Sequence, residues 1–294
     1  MDSIEAINKR TWSEKWAEYR KKPGSFIMFI LVHLATLITV LSIGFLLVYV
    51  LVKGVPNLNA DIFSWEYTSD NCSLVPALIN TVYMTLLSLL IAGPIGIFAA
   101  IYLVEYAKTG NKLVGVVRIT AETLTGIPSI VYGLFGMLFF TNACGLRLSL
   151  ISGALTLAIM VLPVIMRTTE EALMAVPKSY REGSFGLGAG KLRTVFKVVL
   201  PSAVPGILSG IILATGRIVG ETAALIYTAG SVAKMATKLT DSTRTLAVHM
   251  YLLSKEGLHT DQGYATAVVL LVLVVLINFA SDKIAGKVAA DKAN

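Results

Sequence analysis

The chain has 294 residues, 55% of them hydrophobic and only 15% charged, with a mean hydropathy of +0.73. Soluble domains carry about 25% charged residues, so this composition excludes an ordinary soluble protein and points to a single membrane domain. The net charge of +7 is gathered in patches between apolar runs rather than along one stripe, which argues for topology-setting charge and against a nucleic-acid partner.

Residues 1–24 form a polar tail with Lys9, Arg10, Lys15, Arg20, Lys21 and Lys22. The uncharged run 26–52 is longer than a signal-peptide core and has no small-x-small cleavage site after it, so it is expected to stay as a signal-anchor. A polar loop, 53–74, leads to a second helix predicted at 75–104. There Gly93-Pro94-Ile95-Gly96 predicts a kink, because proline removes a backbone donor. Residues 105–125 read as a polar segment. A third helix is expected at 126–141, short for a span unless 119–125 extends it, and a fourth at 148–166 with Pro163 near its end. After a charged stretch, 167–203, come a fifth helix at 204–229, a polar loop at 230–262 and a sixth helix at 263–280. Lys283, Lys287 and Lys292 mark the tail. The expectation is an all-α polytopic membrane protein with six transmembrane helices: a transmembrane domain over 25–282 between tails 1–24 and 283–294.

With both termini on the cytoplasmic side, the inner segments hold eighteen Lys and Arg and the outer segments six. That asymmetry sets the orientation and places 167–203 in the cytoplasm.

Pro177 and glycines 186, 188 and 190 divide 167–203 into short helices at 168–175, 178–186 and 191–199. By periodicity alone the last two make either an amphipathic hairpin lying on headgroups or a docking element for a cytoplasmic protein. The run Gly186-x-Gly188-x-Gly190-Lys191 imitates a phosphate-cradling loop. However, Phe185 stands where the earlier glycine is required and Leu192 where Ser or Thr is required, so no nucleotide site is predicted.

The predicted fifth helix carries Arg217 near mid-bilayer, with Glu221 one helical turn further on. A charge there costs on the order of 2.5–3.5 kcal/mol by insertion scales. The two residues form either an ion pair that locks the bundle or a site on a transport pathway. A guanidinium is suited to phosphate oxygens because its forked donors stay charged. Glycines 206, 210, 216 and 220 are spaced for close helix packing.

Two sets of residues carry a resemblance. Glu182-Gly183-Ser184, three residues, Gly188, nine residues, then Val198-Val199-Leu200-Pro201 resembles the signature loop of ABC importer permeases, with Gly183 and Ser184 in place of two alanines and Val198 in place of isoleucine. Gly126-Ile127-Pro128-Ser129-Ile130-Val131-Tyr132-Gly133-Leu134-Phe135-Gly136 and Gly216-Arg217-x-x-Gly220-Glu221-Thr222-Ala223 look like the phosphate-specific (Pst) importer permeases. Thr222-Ala223-Ala224-Leu225 with Ala175-Val176-Pro177 is closest to the PstA type. Ala224 departs from the proline of many members.

The resemblance covers about residues 75–280 and implies a type I ABC importer permease. Arg217, Glu221 and Thr222 would lie on the phosphate pathway. Tyr180, Arg181, Glu182, Gly183, Ser184, Gly188, Leu200 and Pro201 would dock a separate ATPase. It also implies a second permease of the PstC type, two ATPase subunits and an extracellular phosphate-binding protein. No cofactor is expected in this chain, since ATP and magnesium would belong to the ATPase. The rival readings are a permease for another oxyanion or solute, a self-sufficient channel or secondary transporter, and an intramembrane enzyme.

Other groups add little. Cys72 and Cys144 lack metal or redox spacing, and the topology leaves a disulfide between them open. His33, His249 and His259 form no metal motif. Glu105 and Glu122 read as solvated or interfacial charges. The outer stretch 245–254 suits a short helix that either meets a solute-binding protein or caps the bundle.

Overall fold

The computed structural model describes residues 23–108 and 110–290; the basic residues of the N-terminal tail and Lys292 lie outside them. All regular elements among the described residues are helical. The chain divides into two units, Met1–Val52 and Lys53–Asn294.

In the first unit, α1 (Pro23–Gly54) is apolar on every side, and Ile27, Leu34, Leu41 and Phe45 are all exposed. Side chains of that kind require a lipid or partner environment.

The second unit holds α2 (Val75–Ile101), which ends in a π turn at Tyr102–Tyr106, α3 (Lys112–Thr125), and α4 (Ser129–Gly136), which runs into a π turn at Met137–Ala143. It continues with α5 (Leu150–Ala175), α6 (Lys178–Gly186) and α7 (Lys191–Val219), the last with a π turn at Val195–Val199. It closes with α8 (Ala223–Thr228), α9 (Leu246–Glu256) and α10 (Thr260–Ala290). By length and composition α1, α2, α5, α7 and α10 can each cross a bilayer, and α3 with α4 makes a sixth span if the bent pair counts as one.

The core is built by α2, α5 and α7. Ala92, Gly96 and Ala100 recur every four residues on α2 and are buried. A Cβ on Gly96 would lie 3.0 Å from Ile165 Cγ2, so the α2 and α5 backbones meet through small residues. α7 runs antiparallel to α5, with Gly206 against Ala172 and Gly210 against Thr168. Gly216 and Gly220, which share their spacing, face no packed neighbour. Met84, Leu157, Met160, Ile165, Ile218 and Leu225 fill the centre with no more than 1% exposure. Thr81, Thr85, Ser88 and Thr156 each donate to the carbonyl four residues back, so these hydroxyls enter an apolar interior with their donors satisfied.

Several boundaries differ from the sequence expectation. Residues 105–125 are not simply polar loop: 112–125 forms α3, started by Asn111, whose Oδ1 accepts from Leu113 N at 3.0 Å. The expected third helix is split from α3 by a 104° bend at Gly126-Ile127-Pro128, where proline disfavours helical geometry in the preceding residue. Tyr132 spans the bend, donating its hydroxyl to Leu124 O at 2.8 Å. α2 stays helical through Pro94. The fourth helix runs on to Ala175, and the expected 191–199 helix is the first part of α7, so only residues 176–190 of the charged stretch leave the spans. The expected fifth helix breaks after Val219.

At the end opposite the α6 hairpin, loop 230–245 is fastened to α2. Asn80 Nδ2 donates to Lys234 O (2.9 Å) and Arg244 O (3.3 Å), while its Oδ1 accepts from Ala236 N (2.9 Å).

Candidate functional site: a broken helix and a docking hairpin

The break after Val219 brings two expected pathway residues into view. Gly220 closes α7, donating to Gly216 O at 3.2 Å. Glu221 and Thr222 form the joint to α8. Glu221 is buried, and its Oε1 accepts from Thr222 N at 3.2 Å and from Ala224 N at 3.1 Å. The carboxylate therefore caps the first turn of α8, supplying acceptors where helix N–H groups have none. Arg217 sits in the last turn of α7, where the exposed carbonyl dipoles favour a cation. Among the described residues Arg217 makes no ion pair, with Glu221 or any other carboxylate. The Glu221 carboxylate is engaged instead by the first turn of α8.

α8 is seated by glycines of α4. A Cβ on Gly133 would come within 2.8 Å of Ala224 Cα, and one on Gly136 within 2.7 Å of Thr228 Cγ2. Side chains at either position would push α8 away and shift the joint.

Arg217 faces a cleft of about 400 Å³ lined by Thr125, Val164, Arg167, Thr168, Glu171 and Leu213. Arg167 on the same wall is held by Glu171 (3.2 Å) and Glu122 (3.6 Å). A neighbouring recess of about 260 Å³ contains Arg118 and Glu170, paired at 2.5 Å. Sequence reasoning passed over Arg167, Arg118 and Glu170. Arg118 lies in the segment read as polar and Glu170 in the expected short helix 168–175, and the continuation of α5 to Ala175 brings Arg167 and Glu170 against Glu122 and Arg118 of α3.

The hairpin end is organised by α6. Tyr180, Glu182, Gly183 and Gly188 are exposed, Arg181 and Ser184 are half-buried, and Leu200 and Pro201 lie at intermediate depth in α7. Leu187 is 90% exposed, so an apolar tip projects from the chain. Gly188 turns the hairpin with φ +79°, a left-handed conformation that glycine adopts without penalty. The chain thus brings six of the expected docking residues together on α6 and its turn. Leu200 and Pro201 stand apart, at the base of α7.

Of the two readings of Glu105, solvated or interfacial, the solvated one does not hold. Its side chain is 9% exposed and bonded to Arg181. His249 is buried within α9, with Nε2 3.2 Å from Cys72 O. Cys72 and Cys144 are both free thiols. No cluster of three metal-ligating side chains occurs among the described residues.

Comparison with known proteins agrees with this architecture. The family model of the binding-protein-dependent transport system inner membrane component matches residues 92–290. A probable ABC transporter permease, YqgI of Bacillus subtilis (strain 168), is 33% identical over 270 residues, covering 84% of this chain and 90% of that protein. Phosphate transport system permease protein PstA 1 of Mycobacterium tuberculosis (strain H37Rv) is 35% identical over 211 residues, covering 71% and 68%. Among solved structures, a chain of the MetNI methionine ABC transporter in an inward-facing conformation superposes with a TM-score of 0.59 at 25% identity, covering 73% of this chain and 95% of that one. With its helical spans, broken helix and exposed hairpin, the chain belongs to the binding-protein-dependent transport system inner membrane components, as a non-catalytic, multi-pass membrane permease subunit of an ABC importer with the type I fold.

Proposed function

We propose that this chain is the PstA-type half of an importer that carries inorganic phosphate into the cell. The observation that carries the reading is Arg217, a guanidinium with no carboxylate partner among the described residues, beside an open cleft at a helix break. Broken helices in transporters place helix ends and irregular backbone at the substrate path, and an intramembrane charge there favours a pathway role over a structural one. A permanent cation with forked donors matches a phosphate oxyanion. Glu221, committed to capping α8, leaves the charge of Arg217 uncancelled. Thr222 stands at the same joint with its side chain partly exposed. The 35% identity to the mycobacterial phosphate permease over 71% of this chain supports phosphate as the substrate.

In this reading α6 seats in a cleft of an ATPase through Tyr180, Arg181, Glu182, Gly183, Ser184 and Gly188, with Leu200 and Pro201 joining the hairpin to the span. Two ATPase subunits supply ATP and magnesium, a PstC-type permease completes the pathway, and an extracellular binding protein delivers phosphate. Both termini lie in the cytoplasm, as the distribution of Lys and Arg implies.

The test is ATP-dependent uptake by the complex reconstituted in liposomes. Arg217→Gln is expected to abolish phosphate uptake while insertion and assembly persist, and excess sulfate or molybdate is expected not to compete. Near-normal uptake by the variant would make Arg217 structural. Equal competition by sulfate or molybdate would remove the phosphate assignment.

A further inference from the structure

Arg181 fastens α6 to the bundle through four hydrogen bonds. Nε and Nη2 both donate to Glu105 Oε1, at 3.0 and 2.7 Å, while Nη1 donates to Val176 O and Nη2 to Leu173 O, each at 2.9 Å. Glu105 lies in the π turn that ends α2. Leu173 and Val176 are the end of α5 and its cap. One guanidinium therefore joins the hairpin to both helices of the most closely packed pair in the bundle. A second link ties α6 to the base of α7, where Ser184 Oγ lies 2.8 Å from Thr194 Oγ1.

A simple cap for α5 would need only the contacts to Leu173 and Val176. The carboxylate of Glu105 is an addition with its own cost. It is 9% exposed, and among the described residues its only hydrogen-bonding or ion-pairing partner is Arg181, so its burial is compensated by that one guanidinium. The charge-assisted, two-donor contact is directional and stiff. It also falls on a π turn, a local irregularity frequent at functional positions. A stiff ionic link from a surface hairpin to a soft point in a span can convert displacement of the hairpin into displacement of the span.

We propose that the Glu105–Arg181 pair is the strut that transmits ATPase closure from α6 to α2 and α5. Glu105 acts as a positioning residue: it touches neither the ATPase nor the substrate, and it works through Arg181. The proposal rests on the reading of α6 as the docking hairpin.

The experiment uses the full importer in liposomes. Assembly is read by co-purification of the ATPase with this chain, and transport by ATP hydrolysed alongside solute taken up. Glu105→Ala is expected to leave the ATPase bound and hydrolysing, while solute taken up per ATP falls about tenfold, within the range of coupling between linked sites. Glu105→Gln, which keeps an acceptor oxygen, is expected to recover part of that ratio. A purely structural role would lower the yield of complex and leave the ratio unchanged; an unchanged ratio in assembled Glu105→Ala complex overturns the strut. Loss of the ATPase from Glu105→Ala would also overturn it, by making the pair part of docking. Failure of the docking reading is separately visible, because cysteine cross-links from Tyr180 or Leu187 to the ATPase would then be missing in otherwise unaltered protein.

Discussion

Removing the Glu221 carboxylate separates two accounts of the helix break. In the structure Oε1 accepts from Thr222 N and Ala224 N at a site 8% exposed. Glu221→Ala leaves both N–H groups without an acceptor where water has little access. Hydrogen bonds to a charged group contribute about 1.5–3 kcal/mol each, so losing two is expected to cost about 3–6 kcal/mol. Glu221→Gln keeps a carbonyl oxygen in the same place and loses only the charge assistance, about 1–2 kcal/mol. If Glu221 instead served as the counter-charge of Arg217, the amide would be nearly as damaging as alanine, because breaking a buried pair costs about 3–5 kcal/mol whichever neutral residue replaces the carboxylate. Thermal unfolding of the detergent-solubilised subunit, followed by the fluorescence of thiols exposed on unfolding, measures the order. Glutamine close to the parent protein and alanine far below it is the expected result. Equal destabilisation by the two substitutions would refute the capping account.

Three further outcomes follow from local geometry. A Cβ on Gly216 meets nothing within 4 Å, so Gly216→Leu is expected to fold normally, and by placing a bulky chain beside Arg217 to lower uptake at least about tenfold; unchanged uptake would mean that this face of α7 is not on the pathway. Burial, reinforced by the positive charge of Arg244, pushes His249 down to about 3 from its ordinary 6.5, so below pH 6.5 the unfolded chain binds the additional proton. Stability is then complete above that pH and falls as the pH drops toward 3, by about 1.4 kcal/mol at pH 5.5, and His249→Gln should flatten the profile of unfolding temperature against pH. Thr194 is 1% exposed and pairs with Ser184; Ser184→Ala alone should cost about 1–2 kcal/mol in thermal unfolding, and Thr194→Val added to it should restore most of the loss, since removing both partners leaves no orphaned hydroxyl.

The spans were legible because unbroken apolar runs longer than a bilayer requires admit few other structures. The α6 helix was equally legible: Pro177 and Gly188 bracket it, and its bounds at Lys178 and Gly186 match the reading. α3 escaped because Lys112, Arg118 and Glu122 gave the segment the composition of a loop, although its apolar residues recur at helical spacing. The joint at Gly220-Glu221-Thr222 escaped for a different reason. Gly220 is a local stop signal, but glycines at 206, 210 and 216 do not end the same helix, so the sequence did not single it out; α8 beyond the joint is seated against Gly133 and Gly136, nearly a hundred residues earlier. The Arg181–Glu105 contact joins positions 76 residues apart, and a single sequence carries no sign of which carboxylate a given arginine will meet. Ser184 is the reverse case. Its departure from the family's alanine had no reason in the sequence, and the Thr194 hydroxyl beside it supplies one.

These separate features lie on one helix. α7 begins at Lys191, beside the hairpin, and ends at Val219, two residues beyond Arg217. At about 1.5 Å per residue its 29 residues span about 43 Å, longer than the hydrocarbon layer, which is about 30 Å thick. Thr194, one turn from its start, is bonded to α6, and Arg217, in its last turn, faces the cleft. A displacement of the hairpin therefore reaches the guanidinium through a single element, with the π turn at Val195–Val199 as the soft point at its base. α5 lies antiparallel along the same path and bears Arg167 on the cleft wall, and its far end is held by Arg181. Moving α6 would shift the two arginine-bearing helices in concert. Arg167 is already held by Glu122 and Glu171, so of the two arginines on the cleft it is Arg217, without a carboxylate partner among the described residues, whose position decides how strongly the cleft attracts an anion, because Coulomb attraction falls with distance.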